Sequence, residues 1–274
     1  PHNPAAIEYM VYSHAGPVED FTPYTNLTLI QNIWAGVEKV LTVPSLPSDV
    51  PFARMVEPGM TMGMQDFVVA HVMRYHAEID TVIHGIGEGW EAPVPPLAQD
   101  RRVGVLGLGT LGGTIARTLT SLGFRVSGWS RTPRDIPGVE SHAGQGGLAA
   151  VLRQSDILVC LLPRTAETEN LLDAARLAQL PVGARLINAG RGELIDDDAL
   201  LAALDSGRIA HATLDVFRKE PLPKDHPYRH HARVTVTPHI ASVTRPATAA
   251  ETVIGQIRRG EAGEPFAHVV DRRR

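Results

Sequence analysis

Val103-Gly104-Val105-Leu106-Gly107-Leu108-Gly109-Thr110-Leu111-Gly112 is the stretch on which the fold turns. A short β-forming run leads straight into Gly-x-Gly-x-x-Gly, and from Leu111 to Leu122 the apolar residues recur at helical spacing. In a strand-turn-helix unit the three glycines have separate tasks. Gly107 allows the tight turn, Gly109 lets the backbone approach a pyrophosphate, and Gly112 lets the helix pack closely on the strand, while the helix N-terminus favours the anion. A dinucleotide-binding unit is expected here, with Thr110 and Leu111 inside its cradle.

Downstream the same rhythm repeats. Apolar β-rich runs at Phe124 to Trp129, Ile157 to Leu162, Ala184 to Asn188, Ala210 to Val216 and Val234 to Val236 alternate with helical patterns such as Gly147 to Arg153 and Asp196 to Ser206. Strands separated by helical crossovers imply a parallel sheet, and right-handed crossovers make it doubly wound. Five or six strands are expected. Upstream, Pro93-Val94-Pro95-Pro96 cannot continue a helix, which sets a domain boundary near residue 97. Before it, Glu8 to Tyr12, Leu27 to Asn32 and Phe52 to Val56 read as strands and Thr61 to His84 as a long helix. The segment Arg245 to Arg259 reads as a closing helix that packs back on this first domain. The fold class is therefore α/β, a doubly wound parallel sheet of Rossmann type (98–242) with a smaller flavodoxin-like α/β substrate domain (1–97 with 243–274).

Composition narrows the function. The 274 residues are 43% hydrophobic and 20% charged, enough to bury sizeable cores. Lys plus Arg number 26 against 30 Asp plus Glu, a net charge of -4, so no basic surplus drives nucleic-acid binding. The one cysteine, Cys160, lies in an apolar strand pattern and cannot form an intrachain disulfide. The twelve histidines show no metal-ligand spacing, and no metal is expected. No apolar run reaches the length of a membrane span and the N-terminus lacks a signal-peptide pattern, so a cytoplasmic location is expected.

The choice of dinucleotide is read at the end of the second strand of the nucleotide unit. An NAD-binding fold places Asp or Glu there, about twenty residues past the glycines, to hold the ribose hydroxyls. Here the strand ends Gly128-Trp129-Ser130-Arg131-Thr132, with Ser130 eighteen residues past Gly112. A carboxylate would repel a 2′-phosphate, whereas Ser130, Arg131 and Thr132 suit it. One charge-assisted contact of about 1.5 to 3 kcal/mol gives a preference of roughly ten- to a hundredfold. NADP(H) is expected.

Three residues at or just past predicted strand ends suit reduction of a 2-keto acid. Such a reaction needs a cation for the carboxylate and a proton donor for the carbonyl oxygen. Arg191 offers the planar fork that matches a carboxylate. His239 suits the acid role because imidazole as a side-chain type can give and take a proton near neutral pH. Glu220, hydrogen-bonded to His239, would orient the imidazole. Singly, each is more often a solvated surface residue; together they define a site.

The segments Asn188-Ala189-Gly190-Arg191-Gly192-Glu193-Leu194-Ile195-Asp196, Leu214-Asp215-Val216-Phe217-Arg218-Lys219-Glu220-Pro221, and Thr237-Pro238-His239-Ile240 resemble the signatures of the D-2-hydroxy-acid dehydrogenase family, in its glyoxylate/hydroxypyruvate reductase A branch. Trp129-Ser130-Arg131-Thr132-Pro133-Arg134 and the terminal Val269-Val270-Asp271-Arg272 are similar to that branch too, so the likeness runs over nearly the whole chain. The resemblance implies that Arg191 binds substrate, Glu220 partners the acid and His239 is the acid-base. It implies that the Trp34-Ala35-Gly36-Val37 loop offers backbone amides to the substrate carboxylate, with Trp34, Ala35 and Gly36 as substrate-binding residues. It also implies that Leu162 and Pro163 line the adenine side, that Asp215 faces the nicotinamide carboxamide, and that Ala189 and Gly190 complete the cofactor set. It further implies a homodimer through the Thr61 to His84 helix; Trp90 reads as a buried structural residue, with a reach toward a neighbouring site as the alternative. The family's smaller domain opens with a strand and helix not found here, since Ala6 to Tyr12 resembles its second strand and no Met precedes Pro1. Two alternatives stand beside a glyoxylate or hydroxypyruvate reductase. One is a reductase of pyruvate or a bulkier 2-keto acid; the other is a dinucleotide-sensing interaction protein that keeps the fold without turnover.

Overall fold

A computed structural model describes residues 3–80 and 94–272. By its contacts the chain divides into two compact units, Pro1–Met62 with Ser242–Arg274, and Gly63–Ala241. The division falls inside a helix rather than at the proline-rich stretch, where Pro93, like Trp90, lies outside the described residues.

The larger unit holds seven strands in one wholly parallel sheet: β4 (Arg102–Leu106), β5 (Arg125–Ser130), β6 (Val139–Ala143), β7 (Ile157–Cys160), β8 (Ala184–Asn188), β9 (Ile209–Leu214) and β10 (Val234–Val236). Their order is β10-β9-β8-β7-β4-β5-β6, so the winding reverses between β4 and β7. Seven strands correct the expected five or six. The unforeseen one is edge strand β6, Val-Glu-Ser-His-Ala, which is only partly buried and so lacks an apolar run.

Both faces of this sheet are buried, as parallel sheets require. On β7, Leu158 and Cys160 face a core built with α3 (Gly144–Arg153), α4 (Ala174–Leu177) and α5 (Asp197–Asp205), whereas Ile157 and Val159 face one built with α2 (Thr110–Ser121). The second core also takes Met64, Val68, Val72 and Tyr75 from α1 (Pro58–His76), residues at helical spacing along one stripe. That packing places the later turns of α1 in the larger unit. The helix begins three residues earlier than expected, because Pro58 suits a first-turn position and the Glu57 carboxylate caps it by accepting from Gly59 N at 2.5 Å. It ends at His76, short of the expected His84, because a turn follows in which Glu78 adopts φ 57; residue 84 itself lies outside the described residues.

The smaller unit has a three-stranded parallel sheet, β1 (Tyr9–Tyr12), β2 (Leu29–Asn32) and β3 (Phe52–Ala53), in the order β1-β2-β3. The third strand is shorter than the expected Phe52 to Val56. The closing helix α6 (Pro246–Glu261) belongs to this unit. Its buried Gln256 donates to Gln31 Oε1 on β2 (3.1 Å) and to Ala267 O (2.7 Å). Among the described residues, no helix is long and apolar enough to cross a membrane.

Candidate active site

The C-terminal ends of the strands on either side of the switch point form the crevice in which open α/β sheets bind ligands. Gly107 leaves β4 with φ 108, a conformation that favours glycine, and donates from its N–H to Trp129 O at 2.8 Å. A Cβ on Gly112 would sit 1.8 Å from Gly107 O, so only glycine lets α2 lie this close to the turn. A Cβ on Gly109 would meet nothing within 4 Å: the space beside the helix cap is open. The amides of Thr110, Leu111 and Gly112 have no intrahelical acceptor, the first intrahelical donor being Gly113 N to Gly109 O. Open space in front of unpaired helix amides fits a pyrophosphate.

The remaining candidate cofactor residues follow strands of the same sheet. Ser130 ends β5, is buried, and donates to Thr132 O at 2.7 Å, which stiffens the turn; Arg131 and Thr132 beside it are exposed. Leu162 and Pro163 follow β7, and Ala189 and Gly190 follow β8. These two loops touch, since a Cβ on Gly190 would stand 2.8 Å from Leu162 O.

Arg191 leaves the end of β8 and caps a short 3-10 turn, Gly192–Leu194. Asn188, the last residue of β8 and 1% exposed, holds this loop at both ends of its amide. Its Oδ1 accepts from Gly190 N (3.1 Å) and its Nδ2 donates to Arg191 O (2.9 Å). Gly192 then runs so close to the next loop that a Cβ there would lie 2.1 Å from the Phe217 carbonyl carbon. That second loop carries Glu220, whose Oε1 accepts from Phe217 N at 2.9 Å and whose Oε2 lies 2.8 Å from His239 Nδ1. A carboxylate only accepts, so Nδ1 carries the hydrogen and Nε2 is left for a substrate.

His239 itself adopts φ 55, rare for a residue with a side chain. It is held there by Asp215 at the end of β9. The His239 N–H donates to Asp215 O (2.9 Å) and Thr237 O (3.0 Å). The buried Asp215 carboxylate accepts from Thr237 Oγ1 (2.6 Å), Ile240 N (2.8 Å) and Ala241 N (2.9 Å). Strain persists at functional sites where the surroundings over-determine it, and here three donors converge on one carboxylate. Sequence reading gave Asp215 a cofactor role and missed that it anchors the histidine turn. It also missed Asn188, which stands in the quoted motif with no signal in its spacing for what its side chain does.

In the smaller unit, Trp34, Ala35 and Gly36 form the loop after β2. The Trp34 indole donates to Ser13 Oγ at 3.1 Å, and its ring lies 5.6 Å from that of His14.

Strand order, glycine cradle and the His239–Glu220 pair together define a dinucleotide-dependent dehydrogenase class. The chain belongs to the D-isomer specific 2-hydroxyacid dehydrogenases, whose NAD binding domain matches residues 67–241. It is 40% identical over 262 residues, 93% of this chain and 83% of the relative, to glyoxylate/hydroxypyruvate reductase A of Yersinia enterocolitica. Among solved structures it resembles a D-isomer specific 2-hydroxyacid dehydrogenase from Xanthobacter autotrophicus Py2 in complex with NADPH and MES. The TM-score is 0.93 at 44% identity, over 100% of this chain and 86% of that one. An NADPH-dependent glyoxylate/hydroxypyruvate reductase from Sinorhizobium meliloti, bound to NADP and sulfate, gives 0.91 at 37% identity over 97% and 85% of the two chains.

Proposed function

We propose that this chain is an NADPH-dependent reductase of small 2-keto acids, glyoxylate and hydroxypyruvate first among them, yielding the 2-hydroxy acid. The observation that carries the reading is the 2.8 Å contact of His239 Nδ1 with Glu220 Oε2 on the same sheet edge as the glycine cradle. The relatives named above act on these substrates or hold NADP(H), which supports both halves.

When bound, the nicotinamide supplies a hydride to the carbonyl carbon. Gly107, Gly109, Thr110, Leu111 and Gly112 would hold the pyrophosphate, and Ser130, Arg131 and Thr132 the 2′-phosphate. Leu162, Pro163, Ala189 and Gly190 would line the groove, joined by Asp215, whose Oδ2 accepts one hydrogen bond among the described residues. Arg191 is the candidate cation for the substrate carboxylate in the larger unit, and the Trp34, Ala35 and Gly36 loop is the candidate amide donor in the smaller. His239 donates the proton from Nε2 to the carbonyl oxygen, and Glu220 keeps the imidazole turned toward it and stabilises its charged form until that transfer. The assignment of residues 98–242 to cofactor and of 1–97 with 243–274 to substrate belongs to the same proposal, as do a cytoplasmic location and a homodimer.

Initial rates of NADPH and NADH oxidation with glyoxylate, hydroxypyruvate and pyruvate test the reading. Turnover of the first two with NADPH, lowered at least about a hundredfold in His239→Ala, is expected. A preference for NADH would overturn the role of Arg131. Tight NADPH binding without turnover of any keto acid would favour a sensing protein.

A further inference from the structure

Strand β2 ends on Asn32, which has no exposed surface. Its Nδ2 lies 3.0 Å from Trp34 O and 2.9 Å from Gly36 O, so both hydrogens of one primary amide go to carbonyls of the loop that follows. Its Oδ1 is buried and accepts nothing among the described residues. Two other donors act in the same sense: Met55 N reaches Trp34 O at 3.1 Å, and Thr244 Oγ1 reaches Ile33 O at 2.8 Å.

A trans peptide points its C=O and the following N–H in opposite directions, and the peptides of this loop are trans. With the carbonyls of Trp34 and Gly36 turned inward to Asn32, the N–H groups of Ala35 and Val37 are turned outward. Neither donates to a protein acceptor among the described residues. Backbone N–H groups that a loop leaves facing out, without a protein acceptor, can receive an anion. An asparagine that spends both hydrogens on loop carbonyls, and leaves its own oxygen buried without a donor, is poorly explained by packing alone.

We propose that Asn32 is a positioning residue: by holding the Trp34 and Gly36 carbonyls it aims the N–H groups of Ala35 and Val37 at the substrate carboxylate. This rests on the reading of the chain as a 2-keto acid reductase and adds to it the side chain that orients the loop's amides.

The test is a titration of the full chain, with NADPH present, by oxalate, a two-carbon dicarboxylate close in shape to glyoxylate, followed by amide NMR. In the unaltered protein the amide protons of Ala35 and Val37 are expected to move downfield along one binding curve. Oxalate that binds without moving them overturns the proposal, and no variant is needed for that result. In Asn32→Ala the oxalate Kd and the glyoxylate KM should rise together by about tenfold, with kcat changed less than about threefold and the NADPH Kd unchanged. Asn32→Ser, which retains one hydrogen, should fall between. A variant that loses kcat and NADPH affinity in step with KM, or that leaves KM unchanged, overturns the positioning role. Oxalate shifts at Ala35 and Val37 in a protein that reduces no keto acid would sink the proposed activity and keep the loop; turnover with an unchanged KM in Asn32→Ala would do the reverse.

Discussion

Asn32 and Asn188 each end a parallel strand, each is buried, and each holds the loop that follows, yet they do so in opposite ways. Asn188 uses both ends of its amide, accepting from Gly190 N and donating to Arg191 O, so the loop's own polar groups are satisfied and what it presents is a side chain. Asn32 donates twice and accepts nothing, so the loop's carbonyls are satisfied and what it presents is backbone N–H. The same residue type serves a guanidinium loop and an amide loop because its two ends have opposite polarity. What a loop shows to a ligand is set by which of its groups the anchor takes away.

Replacing each asparagine by aspartate should separate the two most sharply. Asn32→Asp removes both donors and faces a carboxylate to two carbonyls, so the glyoxylate KM should rise by more than about a hundredfold, the size of two lost charge-sensitive contacts. Asn188→Asp keeps the acceptor for Gly190 N and loses one contact, so its effect should stay near tenfold. Equal losses in steady-state kinetics would erase the distinction. Next in size, Asn188→Ala should lower kcat/KM by roughly ten- to a hundredfold. Its effect should shrink to under about twofold in an Arg191→Ala background, since a double-mutant cycle exposes action through a shared partner. A penalty that persists without Arg191 would make Asn188 a general structural residue.

Glu220→Gln supplies a contrasting kinetic signature. Both loops stay anchored, so KM should hold while kcat falls by about tenfold, less than the loss on removing the acid itself. The smallest effect concerns pH. Burial first, and then the nearby Arg74 charge, pull the His71 imidazole on α1 down to about 4. An unfolded chain titrates near 6.5 and therefore binds more protons between these values. Stability contributed by neutral His71 is fully present above about 6.5 and is lost as pH falls toward 4. The thermal midpoint should drop across that window, and His71→Leu should flatten the slope. An unchanged slope would move the acid sensitivity elsewhere, His14 in the smaller unit being the first place to look, since burial lowers it too.

The nucleotide unit was legible because its signals are local. Glycine spacing, a preceding apolar strand and a following helix lie within one short stretch, and the observed β4 and α2 bracket it. The candidate residues Arg191, Glu220 and His239 were picked out by type and by their place after strand ends, and the fold brings Glu220 and His239 into contact. Strand β6 was not, because an edge strand with partly solvated faces needs no apolar alternation. The two asparagine anchors were hidden for a different reason. Which carbonyl or amide a buried side chain reaches depends on the backbone path of the next four residues, and no residue count encodes that. The start of α1 was recoverable: Glu57-Pro58-Gly59 carries a capping carboxylate and a first-turn proline, which apolar periodicity alone passes over.

His239, the proposed proton donor, follows β10, a three-residue strand at the edge of its sheet whose ladder runs through Val234, Thr235 and Val236. Edge elements with few ladder bonds open at a fraction of the cost of global unfolding. Under rising denaturant this molecule should therefore fall silent before it melts. Catalysis would fade at concentrations where the helices still give their full circular dichroism and the glycine turn, built on the central strand β4, still retains its cofactor.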